Sequence, residues 1–205
     1  MITTFLRAKH WQLFLLLFGI PMLTQLFVMG MMFQQMLGTE APQPEKMFAF
    51  MKFFPFLIGV SGAVLYGWFG SIGLGLNALI PAAAKLKVGR FRFCVWFSFG
   101  YLLLLVGFMG FFFAQFDSQF PAIGSQFPYV FLAILPFHFF SMICTLYCLY
   151  FVAKTIKTTE LQRKVKFSEY LGELIMIWFY PIGIWILQPK LNQMAKELGT
   201  KAGVG

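Results

Sequence analysis

Charge is scarce in this sequence. Lys, Arg, Asp and Glu together make up 11% of its 205 residues. A soluble domain carries roughly 25%, so this chain cannot clothe a water-facing surface, and a soluble globular protein is excluded. Disorder is excluded as well, because it requires low hydrophobicity, and 60% of these residues are hydrophobic. Acidic residues are the scarcest charges, seven against sixteen basic. Cysteine is almost absent. Cys94, Cys144 and Cys148 all fall in or near apolar runs, with no ligand quartet in reach by sequence, so neither a zinc site nor a disulfide is expected. No phosphate-binding glycine loop, His-Glu-x-x-His or haem-attachment motif is present. No cofactor and no metal are therefore expected.

What is abundant is apolar sequence. Five intervals lack Lys, Arg, Asp and Glu: 10–39, 53–84, 93–116, 118–153 and 174–189. A spanning helix needs about 20 apolar residues, and the first four intervals are long enough. The fifth has 16 residues, about 24 Å as a helix, and is interrupted by Pro181, Gly183 and Pro189. The expected fold is all-α: an integral membrane helical bundle of four transmembrane helices plus a C-terminal re-entrant or interfacial helix-break-helix. Five transmembrane helices are the alternative. One domain, 1–205, is expected, with spans at about 11–37, 53–80, 93–115 and 128–153, and a broken segment at about 168–189. The start, with Arg7 and Lys9 before an apolar run, resembles the front of a signal peptide. It has no clear cleavage site and reads as an uncleaved first span.

The net charge of +9 follows from topology. With the N-terminus inside, the inner side collects eleven Lys and Arg and the outer side two, Lys46 and Lys52. Keeping the last segment on the inner side adds Lys190, Lys196 and Lys201. This is the positive-inside pattern, so nucleic acid is not an expected partner. After Pro189, which suits a first helical position, Leu191, Met194, Ala195 and Leu198 fall on one helical face. An amphipathic tail helix at about 190–199, lying at the inner headgroups, is expected.

Several constellations carry candidate functions. Gly59, Ala63, Gly67, Ser71 and Gly75 recur every four residues, a small-residue ridge that lets a neighbouring helix approach closely. Gly62 and Gly70 widen the smooth face. Gly59-Val60-Ser61-Gly62 also matches the Gly-x-Ser-Gly motif of rhomboid intramembrane proteases. The only later histidine, His138, lies among bulky aromatics, unlike the rhomboid context. His138, Ser141, Thr145 and Cys148 form a polar or small stripe on one face of the fourth span. Such stripes face a bundle interior or line a path. Glu169 and Glu173 are one turn apart, and Glu173 is the deepest carboxylate. It must be paired or protonated. Met29, Met32 and Met36 share a face. Thioethers suit Cu(I) but are also ordinary gap-fillers.

Two stretches resemble segments of uncharacterised small multi-pass proteins of the bacterial inner membrane. They are Leu6-Arg7-Ala8-Lys9-His10-Trp11-Gln12-Leu13-Phe14 and Pro181-Ile182-Gly183-Ile184-Trp185-Ile186-Leu187-Gln188-Pro189-Lys190-Leu191-Asn192. The resemblance implies a bacterial inner-membrane location and brings no activity. The residues themselves point to a non-enzymatic membrane protein acting through helix packing, as accessory subunit or homo-oligomer, with the lipid bilayer and another membrane protein or itself as partners. A small-solute, ion or proton transporter using His138, Ser141, Thr145 and Glu173 is the alternative. An intramembrane serine protease using Ser61 is the remote one. Both termini are expected in the cytoplasm.

Overall fold

The computed structural model describes residues 2–37 and 52–202, with side chains left out at 2–3, 35–36, 114–128 and 197–202. Glu40, Glu45 and Lys46 lie outside the described residues, as do the side chains of Met36, Leu198 and Lys201. The described chain is helical and contains no strand. Four helices are long and apolar enough to cross a membrane. They are α2 (His10–Gln34), α3 (Phe54–Ala78), α4 (Val88–Phe113) and α5 (Tyr129–Leu161). A short α1 (Ile2–Arg7) precedes them, and α6 (Phe167–Trp178) and α7 (Tyr180–Ala202) follow.

Helical conformation is assigned from Val88 to Leu161, yet Phe91 stacks on Phe151 at 4.4 Å. Sixty residues of straight helix would part them by about 90 Å. Tyr101 likewise meets His138, and Ser98 meets Ser141. The run therefore doubles back through 114–128, and α4 and α5 lie antiparallel.

α2 contains Pro21, which has no N–H to give. The helix widens into a π turn at Leu15–Gly19, where the Ile20 N–H bonds the Leu15 carbonyl five residues back. The Leu17 carbonyl loses its usual donor to Pro21, and that of Leu16 loses its donor to the π shift. Two distant hydroxyls replace them: Ser61 Oγ donates to Leu16 O at 3.3 Å and Tyr180 Oη to Leu17 O at 3.4 Å. Freed carbonyls in a spanning helix are commonly met in this way. Ser61 thus serves as a backbone cap.

The small residues of α3 meet neighbours on two faces. A Cβ at Gly59 would lie 3.6 Å from Val106, one at Gly62 1.9 Å from Leu102, and one at Gly73 2.4 Å from Phe91. These three, with Tyr66 and Phe69 between them, form the face toward α4. Gly67 instead faces Phe5 of α1, 2.9 Å from an added Cβ, while Ala63 is exposed. Ser71 is buried and donates to Gly67 O at 2.8 Å. Gly75 is buried inside a second π turn, Ser71–Gly75. The five-member ridge is therefore not one contact surface. The π turn rotates its last members, and the row that meets α4 repeats every seven residues, near 59, 66 and 73.

The C-terminal helices form a hairpin. Gln162 ends α5 in the left-handed conformation (φ 53). Glu169, in the first turn of α6, accepts the Lys166 backbone N–H at 2.7 Å and pairs with Arg163, satisfying an orphan donor of the helix start. The reversal is at Phe179 (φ −91, ψ 55), two residues before the expected break at Pro181 and Gly183. Pro181 falls in the first turn of α7, where proline fits. Gly183 packs onto α6 so closely that a Cβ would lie 1.7 Å from the Met176 carbonyl oxygen.

α7 then runs through Pro189 without a stop, so the expected helix start there is corrected. Ile184, Leu187, Gln188, Leu191, Met194 and Ala195 form one buried stripe on both sides of Pro189, whose ring lies on the exposed side. Packing of that stripe outweighs the missing N–H. The apolar face expected at the headgroups is, at Leu191, Met194 and Ala195, buried in the bundle.

Candidate functional site

The stripe on α5 meets partners from two other helices. Tyr66 Oη of α3 lies 2.9 Å from Thr145 Oγ1. Thr145 Oγ1 donates to Ser141 O at 2.9 Å, and Ser98 Oγ of α4 donates to the same carbonyl at 3.4 Å. One helical turn further along α4, Tyr101 Oη lies 3.1 Å from His138 Nδ1. These groups border a cleft of about 460 Å³. Its other walls are apolar, including Leu65, Phe69, Leu102, Leu105, Met142, Leu146 and Ile177. Trp178 and Tyr180, on either side of the α6–α7 reversal, also line it. No Lys, Arg, Asp or Glu is among the lining residues. Ser98 and Ser141 are buried and His138 is exposed on the cleft, so the cleft opens sideways at His138.

His138, Ser141 and Thr145 all line this cleft. Tyr66, Ser98 and Tyr101 escaped the sequence reading. Tyr66 stands alone on its stretch of α3, Ser98 and Tyr101 are one turn apart on α4, and only the packing of α3 and α4 against α5 brings them to the stripe.

Glu173 does not line this cleft. It is 5% exposed and belongs to a ring of four charges at the other end of the hairpin. Lys157 Nζ contacts Glu160 at 2.9 Å and Glu173 at 3.3 Å, and Lys190 Nζ contacts the same carboxylates at 2.7 and 3.2 Å. Each lysine bridges both glutamates, tying α5, α6 and α7 together. Glu169, one turn away, faces Arg163 instead. The guanidinium holds the Glu169 carboxyl below its ordinary value.

A second polar centre lies where the ends of the chain meet. Gln188 is fully buried. Its Oε1 accepts the Trp68 indole N–H at 3.0 Å, and its Nε2 reaches Phe5 O, Ala8 O and Asn192 Oδ1 at 2.9, 3.0 and 3.2 Å. Two amide hydrogens thus serve three acceptors. His10 and Phe14 pack on Trp185 at 4.6 and 5.6 Å. The stretches 6–14 and 181–192 are therefore in direct contact. The gap between α1 and α2 is where Gln188 plugs in.

Cys94 of α4 faces Cys144 of α5. Among the described residues no group of three or more His, Cys, Asp or Glu is placed to hold a metal ion. Met22, Met29 and Met32 are exposed along α2. The helical, apolar architecture is that of a membrane protein, and the chain matches no family model, no curated protein and no solved structure.

Proposed function

We propose that this chain is a multi-pass membrane protein that works by holding a small molecule from the bilayer in the cleft between α3, α4, α5 and the tip of the hairpin. One observation carries the reading: uncharged polar side chains from three helices converge in an otherwise apolar cleft. Such a pocket is the default binding site of a protein. Ser61 is committed to the Leu16 carbonyl and His138 to Tyr101, which supports binding over a Ser–His hydrolase. The path joining His138 to Glu173 gives way to two separate centres.

A photo-crosslinking residue at Met142, which lines the cleft, tests this in native membranes. A discrete small-molecule adduct is expected there. The same adducts at the exposed, remote Leu132 would overturn the reading.

In this reading the basic end faces the cytoplasm of a bacterial inner membrane, with both termini inside. The α6–α7 hairpin enters and leaves on that side as a re-entrant element. Its reversal exposes Trp178, Phe179 and Ile182, but the turn meets its own N–H groups, that of Phe179 at the Ile175 carbonyl and those of Ile182 and Gly183 at the Phe179 carbonyl, as an apolar surrounding requires. Reporter fusions at each terminus test the orientation.

A second reading, accessory subunit or homo-oligomer, rests on α2. Beyond Pro21 it exposes Leu23, Leu26, Phe27 and Phe33. The small-residue ridge gives this reading little support, because Gly59 and Gly67 face Val106 and Phe5 of the same chain, Ser71 and Gly75 are buried in it, and Ala63 alone of the five is exposed. Native mass spectrometry after mild-detergent extraction tests it. A stoichiometric partner or a second copy is expected, and a bare monomer overturns it.

A further inference from the structure

We infer that the cleft is built for a molecule with an uncharged, carbonyl-bearing head and an apolar tail, of the quinone class. The inference rests on the binding reading above and specifies the ligand. It starts from a hydrogen count. Thr145 has one hydroxyl hydrogen and gives it to Ser141 O at 2.9 Å. Tyr66, 2.9 Å from Thr145 Oγ1, must then donate to it. Ser98 gives its hydrogen to Ser141 O. This inner cluster has no hydrogen left to offer.

The Tyr101–His138 pair is different. If the tyrosine hydroxyl donates to Nδ1, the neutral ring carries its hydrogen on Nε2. If Nδ1–H donates to the tyrosine oxygen, the phenolic hydrogen is released. In either tautomer one donor is left over. In the first case it belongs to His138, which is exposed on the cleft, and in the second to Tyr101, which is buried but also lines the cleft. This donor calls for an acceptor, and a carbonyl oxygen is the simplest.

Depth excludes a charged head. Tyr101 lies nine residues beyond Arg92 on α4, about 13 Å along a helix. In a hydrocarbon core of about 30 Å that is near the midplane. A phosphate or carboxylate there would lie in a cleft lined by no Lys or Arg, and an unpaired charge at that depth is costly. A small neutral head has no such penalty.

The tail has room. A second cleft, of about 650 Å³, lies between α2 and α3 and shares Leu65, Tyr66, Leu102 and Tyr180 with the first. Its remaining walls are apolar except for Gln25 and Ser61. The aromatic rings of Tyr66 and Tyr180 stand between the two clefts.

Trp178 lines the first cleft and serves as the reporter, because quinones quench indole fluorescence. Full-length protein in phospholipid nanodiscs is titrated with decylubiquinone, with Trp178→Phe defining the Trp178 signal. Saturable quenching is expected. Tyr101→Phe and His138→Leu, each checked for an unchanged thermal transition, should weaken it roughly tenfold, the value of one hydrogen bond in a dry site. If either variant misfolds, the other and His138→Gln carry the test. Unsaturable quenching equal in all variants overturns the inference. So does saturable quenching that ignores both side chains. Brominated stearate and brominated phosphatidylcholine run in parallel. Saturation by these but not by the quinone overturns the ligand class and leaves the binding reading standing, whereas saturation by none removes both.

Discussion

Gln188 accepts the indole N–H of Trp68 at 3.0 Å, across 120 residues of sequence. The same amide donates to the carbonyls of Phe5 and Ala8. One side chain thus ties α7, α3 and the N-terminal turn together where no water reaches. Replacing it by leucine leaves the buried indole N–H and the Ala8 carbonyl unmet, while the Phe5 carbonyl keeps only the Ala8 N–H at 3.4 Å. Gln188→Leu is expected to cost about 2–4 kcal/mol. In a double-mutant cycle with Trp68→Phe the two losses should be clearly sub-additive. Full additivity in denaturant titration would show that the bond carries no coupling.

Gly183 is the tightest contact of the hairpin, its missing Cβ 1.7 Å from the Met176 carbonyl oxygen. Backbone cannot yield as a side chain can, so Gly183→Ala is expected to pry α6 from α7. Gly100→Ala and Gly107→Ala, with open space around the added methyl, should be neutral or mildly stabilising. Proteolysis between 162 and 183 reads the difference. Equal resistance in all three variants contradicts the close packing.

Ser61 and Tyr180 cap carbonyls left bare around Pro21. Ser61→Ala and Tyr180→Phe should each cost about 1 kcal/mol. In a Pro21→Ala background, where the N–H returns, the cost of Tyr180→Phe should vanish. A serine-directed fluorophosphonate should not label Ser61. Labelling would revive the protease reading.

The four-charge ring is expected to resist loss of one member more than loss of a pair. Glu173→Leu leaves two lysines facing a single glutamate and should cost about 2 kcal/mol, short of a fully buried pair because both lysines are partly exposed. Glu173→Leu with Lys190→Leu should cost less than Glu173→Leu alone. A double variant worse than the sum of its singles would rule out charge imbalance as the cause.

Glu169 carries a pH signature. Arg163 holds its folded-state carboxyl below the ordinary value of 4.5, so its contribution is complete above that value. It fades as pH falls through the lower folded value. Hydrogen exchange at the first turn of α6 should therefore quicken on acidification below about 4.5, beyond the intrinsic pH trend. In Glu169→Gln it should be fast throughout and follow only that trend. A parallel profile in the two proteins would show that the carboxylate does not hold this turn.

The sequence by itself determined that the chain is helical and apolar, with four helices long enough to cross a membrane. These follow from run length and the scarcity of charge, which are local properties. It also placed a reversal in the last apolar segment, but two residues late. Pro181 and Gly183 looked like breakers, whereas one fits a helix start and the other a helix contact. Only the tertiary structure decided what the small and polar residues do. A glycine row marks smoothness but not which helix uses it, and the π turn in α3 divides the row between α4 and α1. Gln188 gave no signal as one amide in an apolar segment, because its partners lie up to 183 residues away. The cleft was half legible. The α5 stripe is periodic, whereas Tyr66, Ser98 and Tyr101 become a site only when antiparallel packing stacks three helices at one depth. Helix formation is written in neighbours along the chain. Hydrogen-bond satisfaction in a dry interior is settled between residues that only the fold brings together.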